Sequence, residues 1–226
     1  RRTRARRHSI LRGSSGRARA GEILRAPALQ KRKVKVAMDS KRLEAFTDGV
    51  IAIIITIMVL DLEPPHSSEL SALRESVPMF SAYLISFVNV GLYWNNHHHL
   101  MHATERIDGR VLWLNLALLF WLSLVPFVVR WNNDTNFAVA PTAAYGVVLG
   151  MAALCYELIE RAIIAYNGPA SRVAKGIGSD RKGLVSIALY VAAVPLAFVS
   201  RGVALTIYIG VIALWIVPDR RMVAKK

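Results

Sequence analysis

The sequence predicts an all-α integral membrane protein with six transmembrane helices. Three observations carry this reading. First, 54% of the 226 residues are hydrophobic, and they fall into long runs separated by short polar stretches. Several of these runs approach the roughly 20 residues that a membrane-crossing helix needs. A soluble core has no way to cover so many of them. Second, the charge is segregated. Arg1 to Lys35 holds thirteen Arg or Lys against one acid, Glu22, so this segment supplies +12 of the net +14. Third, the remaining basic residues gather in alternate loops, as the positive-inside rule requires.

The segment 1–37 is basic, poor in aromatic residues and without a periodic apolar face. That composition predicts disorder. It also lacks the apolar core of a secretion signal. Met38 stands just before the first apolar run, so 1–37 reads either as an upstream extension or as a basic arm for anionic lipid. No aromatic residues are interleaved for base stacking, which argues against nucleic acid. Residues 38–226 form the six-helix domain.

The first span contains Arg42-Leu43-Glu44-Ala45-Phe46-Thr47-Asp48-Gly49-Val50 and runs to Leu60. Gly49–Leu60 alone is too short to cross, so the helix must begin near Ser40 or Arg42. Asp48 then lies within or just under the hydrocarbon and needs a partner on another helix. At about 100° per residue, Ile53, Ile57 and Leu60 share a stripe with Phe46 and Arg42. Thr56 flanks it. Asp48 points away, with Ala52, Ile55 and Val59. By geometry alone the stripe suits lipid contact or packing as well as a pore.

Glu63-Pro64-Pro65-His66 breaks the chain. The second span is expected from about Pro78, in the first helical turn, to His102. The third runs from about Gly109 to Val129 and is followed by a polar loop, Trp131–Asp134. The fourth covers about Ala140–Ala165 and contains Gly146-x-x-x-Gly150, a small-residue pair that permits close helix packing. Asn167–Gly183 reads as a loop. The last two spans are Leu184–Ser200 and Gly202–Val217. Arg106, Arg110, Arg172, Lys175, Arg181, Lys182, Arg220 and Arg221 fall on the side of Lys41 and Arg42. Both termini are therefore expected in the cytoplasm.

The pattern Arg42-x-x-x-Phe46-Thr47-Asp48 resembles the Arg-x-x-x-Phe-Ser-Asp signature of the transmembrane protein 175 family. Trp94-Asn95-Asn96-His97-His98 is similar to that family's Trp-x-x-His-His. The resemblance covers Met38 to Lys226, with Thr47 where the family usually has Ser. It implies a passive, potassium-selective channel, a homotetramer in a prokaryotic cell membrane. In such a channel the first helix lines the pore. Ile53, Ile57 and Leu60 would form the hydrophobic constriction, with Ile53 tightest. Thr56 would flank the pore, with Asp61 and Glu63 at its outer mouth. Potassium is the expected permeant ion, and no cofactor is expected.

Arg42, Thr47, Asp48, Trp94, Asn95, His97 and His98 share a membrane layer, and a hydrogen-bonded network among them is expected to hold the first helix, with Phe46 counted in the same structural set. His98 and His102, one turn apart, also suit a metal. No further ligand stands beside them in the sequence, so the network is preferred and no metal is assigned. The alternatives to a channel are a secondary transporter, which requires an inverted repeat or broken helices, and a metal-binding membrane protein using His97–His102. No catalytic constellation, carbonyl filter sequence or Cys-x-x-Cys is present. Cys155 is the single cysteine, so an intrachain disulfide is excluded.

Overall fold

Leu43, Thr47, Ile51, Ile54 and Met58 recur at intervals of three and four, and all five are buried in the computed structural model. They define the inner face of helix α1, Ser40–Leu60. Its 21 residues span about 31 Å, the thickness of a hydrocarbon core. The structure describes residues 40–65, 67–177 and 181–216. The basic segment 1–37, His66, Ser179, Val217 and the basic residues after it lie outside the described residues.

Helix α2 (Leu73–Ala103) follows a 3-10 turn at Leu70–Ala72. The sequence placed Pro78 in the first turn; it lies one turn further in. Its missing N–H leaves a carbonyl on the preceding turn without a helical donor. That turn is exposed, so water can satisfy the group.

Asp108 caps α3 (Gly109–Ser123), its carboxylate accepting from the Arg110 and Val111 amides at 3.1 and 3.2 Å. The chain breaks at Leu124 and resumes as α4 (Val125–Asp134), with Pro126 in the first turn. The expected polar loop at Trp131–Asp134 is thus helical. Asn132 explains why. Its amide donates to the carbonyls of Val128 and Pro141 at 2.8 and 3.0 Å, and its oxygen accepts from the Thr142 hydroxyl at 3.1 Å. The polar residues here cap and join two helices.

Helix α5 (Val139–Asn167) is the packing hub, buried at intervals from Pro141 to Ile163. It packs against α3, α4, the short helix α6 (Arg172–Ile177), α7 (Arg181–Val199) and α8 (Arg201–Ile216). The expected loop 167–183 therefore contains a helical turn, which buries Val173 and Ile177. The glycine pair of α5 accepts two tyrosines. A Cβ at Gly146 would lie 2.7 Å from Cζ of Tyr208 and closer still to its hydroxyl, and one at Gly150 would lie 3.2 Å from Cβ of Tyr190.

Among the described residues, four stretches are long and apolar enough to cross a membrane: Ser40–Leu60, Leu70–Ala103, Gly109–Asp134 and Arg181–Val199. α8 is apolar but shorter. α5 has the length of a span, with much of its surface covered by its neighbours.

Candidate functional site

The inner face of α1 meets α2 and α3 through polar groups as well as apolar ones. Thr47, His97 and Asn115 are each fully buried. The Asn115 amide donates to the Thr47 hydroxyl at 2.8 Å, and its oxygen lies 2.9 Å from Nε2 of His97. An oxygen at that distance accepts, so Nε2 of His97 carries the proton. One asparagine thus joins three helices. A buried polar group left without a partner would cost about 1–3 kcal/mol, so this set fixes the register of α1.

Beside it run two rungs. The Trp94 indole N–H donates to Asp48 at 3.0 Å, and Nδ1 of His98 sits 2.8 Å from Glu44. Glu44 and Asp48 are one turn apart on α1. Trp94 and His98 are one turn apart on α2, with stacked rings 5.9 Å between centroids. One turn forward on α1 meets one turn back on α2, as an antiparallel pair must.

The structure therefore brings Thr47, Asp48, Trp94, His97 and His98 together. It does not bring in Arg42 or Asn95, which are exposed and make no polar contact among the described residues. Phe46 is exposed on the far side. Asn115 and Glu44 are the members that sequence reasoning missed. Asn115 was visible as the one side-chain amide in an apolar span. Glu44 was visible as an acid one turn before Asp48.

The outer face of α1 is open. Ile53, Ile57 and Leu60 are 58%, 45% and 81% exposed, and Thr56 lies between them. The Thr56 hydroxyl donates back to the carbonyls of Ala52 and Ile53, at 3.1 and 2.9 Å. Its oxygen lone pairs are left facing outward. Ile55, by contrast, is partly buried against the core. At the end of the helix Asp61 accepts from Arg130 of α4 at 3.1 Å, and Arg130 also lies 3.6 Å from Asp134. Glu63 is exposed.

These features define a multi-helix integral membrane protein whose first helix is pinned on one face by a buried polar set and bare on the other. A family model described as Endosomal/lysosomal potassium channel TMEM175 matches residues 42–126. The match begins at Arg42 and takes in both rungs and Asn115. A protein of Chryseobacterium sp. (strain P1-3) named as a potassium channel is 44% identical over 185 residues, covering 82% of this chain and 96% of the relative. The chain belongs to the TMEM175 family.

A chicken (Gallus gallus) relative named Endosomal/lysosomal proton channel TMEM175 is 38% identical over 109 residues, 43% of this chain and 22% of that protein. The crystal structure of a lysosomal potassium-selective channel TMEM175 homolog from Chamaesiphon minutus has the same fold. Its TM-score is 0.67 at 23% identity, over 78% of this chain and 96% of that one.

Proposed function

We propose that this chain is the subunit of a potassium channel, a homotetramer whose pore is lined by α1. The observation that carries the reading is the bare stripe Ile53–Ile57–Leu60 on a helix whose opposite face is fixed. A helix held this firmly, yet apolar and uncovered in the monomer, suits contact with copies of itself around an axis. Each copy then contributes rings of branched aliphatic side chains. Such rings close a path by narrowing it and excluding water. Thr56 adds an oxygen that can touch a partly dehydrated cation. Asp61 is already paired with Arg130, so Glu63 is the freer of the two acids at the outer mouth and the better cation attractor.

The reading takes six membrane spans: α1, α2, α3 with α4, α5, α7 and α8. The loop ends sort into two layers. Asn167 donates to the Arg106 carbonyl at 2.8 Å, which places those loops together. Asp61 with Arg130, and Arg201 with the Asn136 carbonyl at 3.4 Å, mark the other side. The basic loops share the Arg106 layer, which favours a cytoplasmic location for it and for both termini, in a prokaryotic cell membrane.

Potassium is favoured over protons as the conducted ion. The relative covered to 96% of its length carries the potassium name, whereas the relative with the proton name is covered to 22%. The transporter alternative needs an unwound helix lining a polar cavity. Among the described residues, the break within a span falls at Leu124, close to Leu122 and Val125, both fully buried and apolar.

Ion flux in proteoliposomes tests the reading. Potassium flux should exceed sodium flux under an imposed voltage. Ile53→Ala or Ile53→Asn should raise conductance or lower potassium preference several-fold while the oligomer stays intact. Ile55→Ala should do neither. Equal behaviour of Ile53 and Ile55 variants would remove α1 from the pore.

A further inference from the structure

The fold supplies the ligand that sequence spacing did not. Glu44, His98 and His102 present one ligand atom each, and these atoms all lie within 4.8 Å of one another. We propose that Glu44, His98 and His102 form a binding site for a divalent transition-metal ion of the zinc type, bridging α1 and α2.

The chemistry fits. Two imidazoles and a carboxylate are a recognised zinc set, with a fourth position left for water. Ligands at zinc distances in a tetrahedron lie roughly 3.3 Å apart. The Glu44–His98 pair, now at 2.8 Å, must open slightly. His102 must swing inward, which it is free to do because it is exposed and belongs to the last turn of α2. The rings of His98 and His102 are already 4.6 Å apart, edge to face.

The surrounding contacts also fit. Trp94 stacks on His98 and is itself held by Asp48. The ring is thus oriented before a metal arrives, as supporting groups do around zinc ligands. Ligation through Nδ1 of His98 displaces the proton now shared with Glu44, and that proton passes to solvent. The exposed His102 gives the ion an aqueous entry path. The ion would tie the first turns of α1 to the last turn of α2, beside the buried Thr47–Asn115–His97 set.

Tag-free protein purified in detergent tests the proposal, with Zn2+ by calorimetry and Co2+ by its visible absorption. One ion per chain is expected, with the absorption of a four-coordinate Co2+ site. Zn2+ should raise the melting temperature, since it binds the folded state alone. Glu44→Gln and His102→Ala should each weaken binding by at least about tenfold and abolish the thermal shift. His99→Ala, on the neighbouring exposed histidine, should leave both unchanged. Absence of a Co2+ band in the wild type, or equal losses from His99→Ala and His102→Ala, would overturn the site. None of these readouts requires conduction, so their failure leaves the channel reading where it stands.

Discussion

Asn115 uses both ends of its amide at once, donating to Thr47 and accepting from His97. Replacing it by Leu keeps the volume and removes both bonds. The buried hydroxyl and imidazole are then unpaired, at about 1–3 kcal/mol each. Asn115→Leu should therefore lower the thermal midpoint of the detergent-solubilised protein by several degrees, whereas Asn95→Leu, on the exposed side of α2, should leave it nearly unchanged. Asp48→Ala removes the acceptor of the Trp94 indole and should weaken assembly before it alters selectivity. A stable oligomer that no longer conducts would instead assign Asp48 to the ion path. Thr47, Asp48, Trp94 and His97 were legible in the sequence because polar groups inside an apolar run must be satisfied. Asn115 and Glu44 were not paired with them, because a partner on another helix depends on inter-helix register. Spacing along one chain does not carry that register. Arg42 shows the same limit from the other side: its motif position suggested a partner, and it has none among the described residues.

Among the elements, the α5 glycines show how a weak pattern acquires a physical meaning. Gly-x-x-x-Gly is common by chance, yet Gly146 faces the buried Tyr208, whose hydroxyl donates to the Thr142 carbonyl at 3.2 Å. A methyl group at position 146 collides with that ring. Gly146→Ala should destabilise the protein by about 1–3 kcal/mol, read as a lower midpoint. Gly49→Ala, where a Cβ meets nothing within 4 Å, should not. The apolar runs located the helices because their lengths match a bilayer. Their ends were less legible. Pro78 and the polar residues 131–134 read as boundaries. A proline is tolerated inside a helix where water can take the freed carbonyl, and Asn132 turned polar sequence into a cap for two helices at once.

For the whole molecule, the two layers of loops give a topology experiment. Single cysteines at Ser68 and Lys175, in a Cys155→Ser background, should label from opposite sides of the membrane, Ser68 from outside. Labelling with the sides exchanged would invert this topology. The loop charges are the sequence's ground for expecting this arrangement, because a bilayer sorts basic loops by side. The open face of α1 is not legible there, since periodicity cannot distinguish a stripe facing lipid from one facing a copy of itself.

The two ends of α1 are held by different physics. Near Thr47 the helix is secured by buried hydrogen bonds that salt cannot reach. Near Asp61 it is held by an ion pair whose arginine side chain is 53% exposed, which salt screens. Packing of Ile54 and Met58 carries the hold along the helix, so only the last residues beyond Met58 depend on that ion pair. Raising ionic strength, or making Arg130→Gln, should release the tip alone. Amide exchange should then quicken at Val59 and Leu60 and stay slow at Ile51.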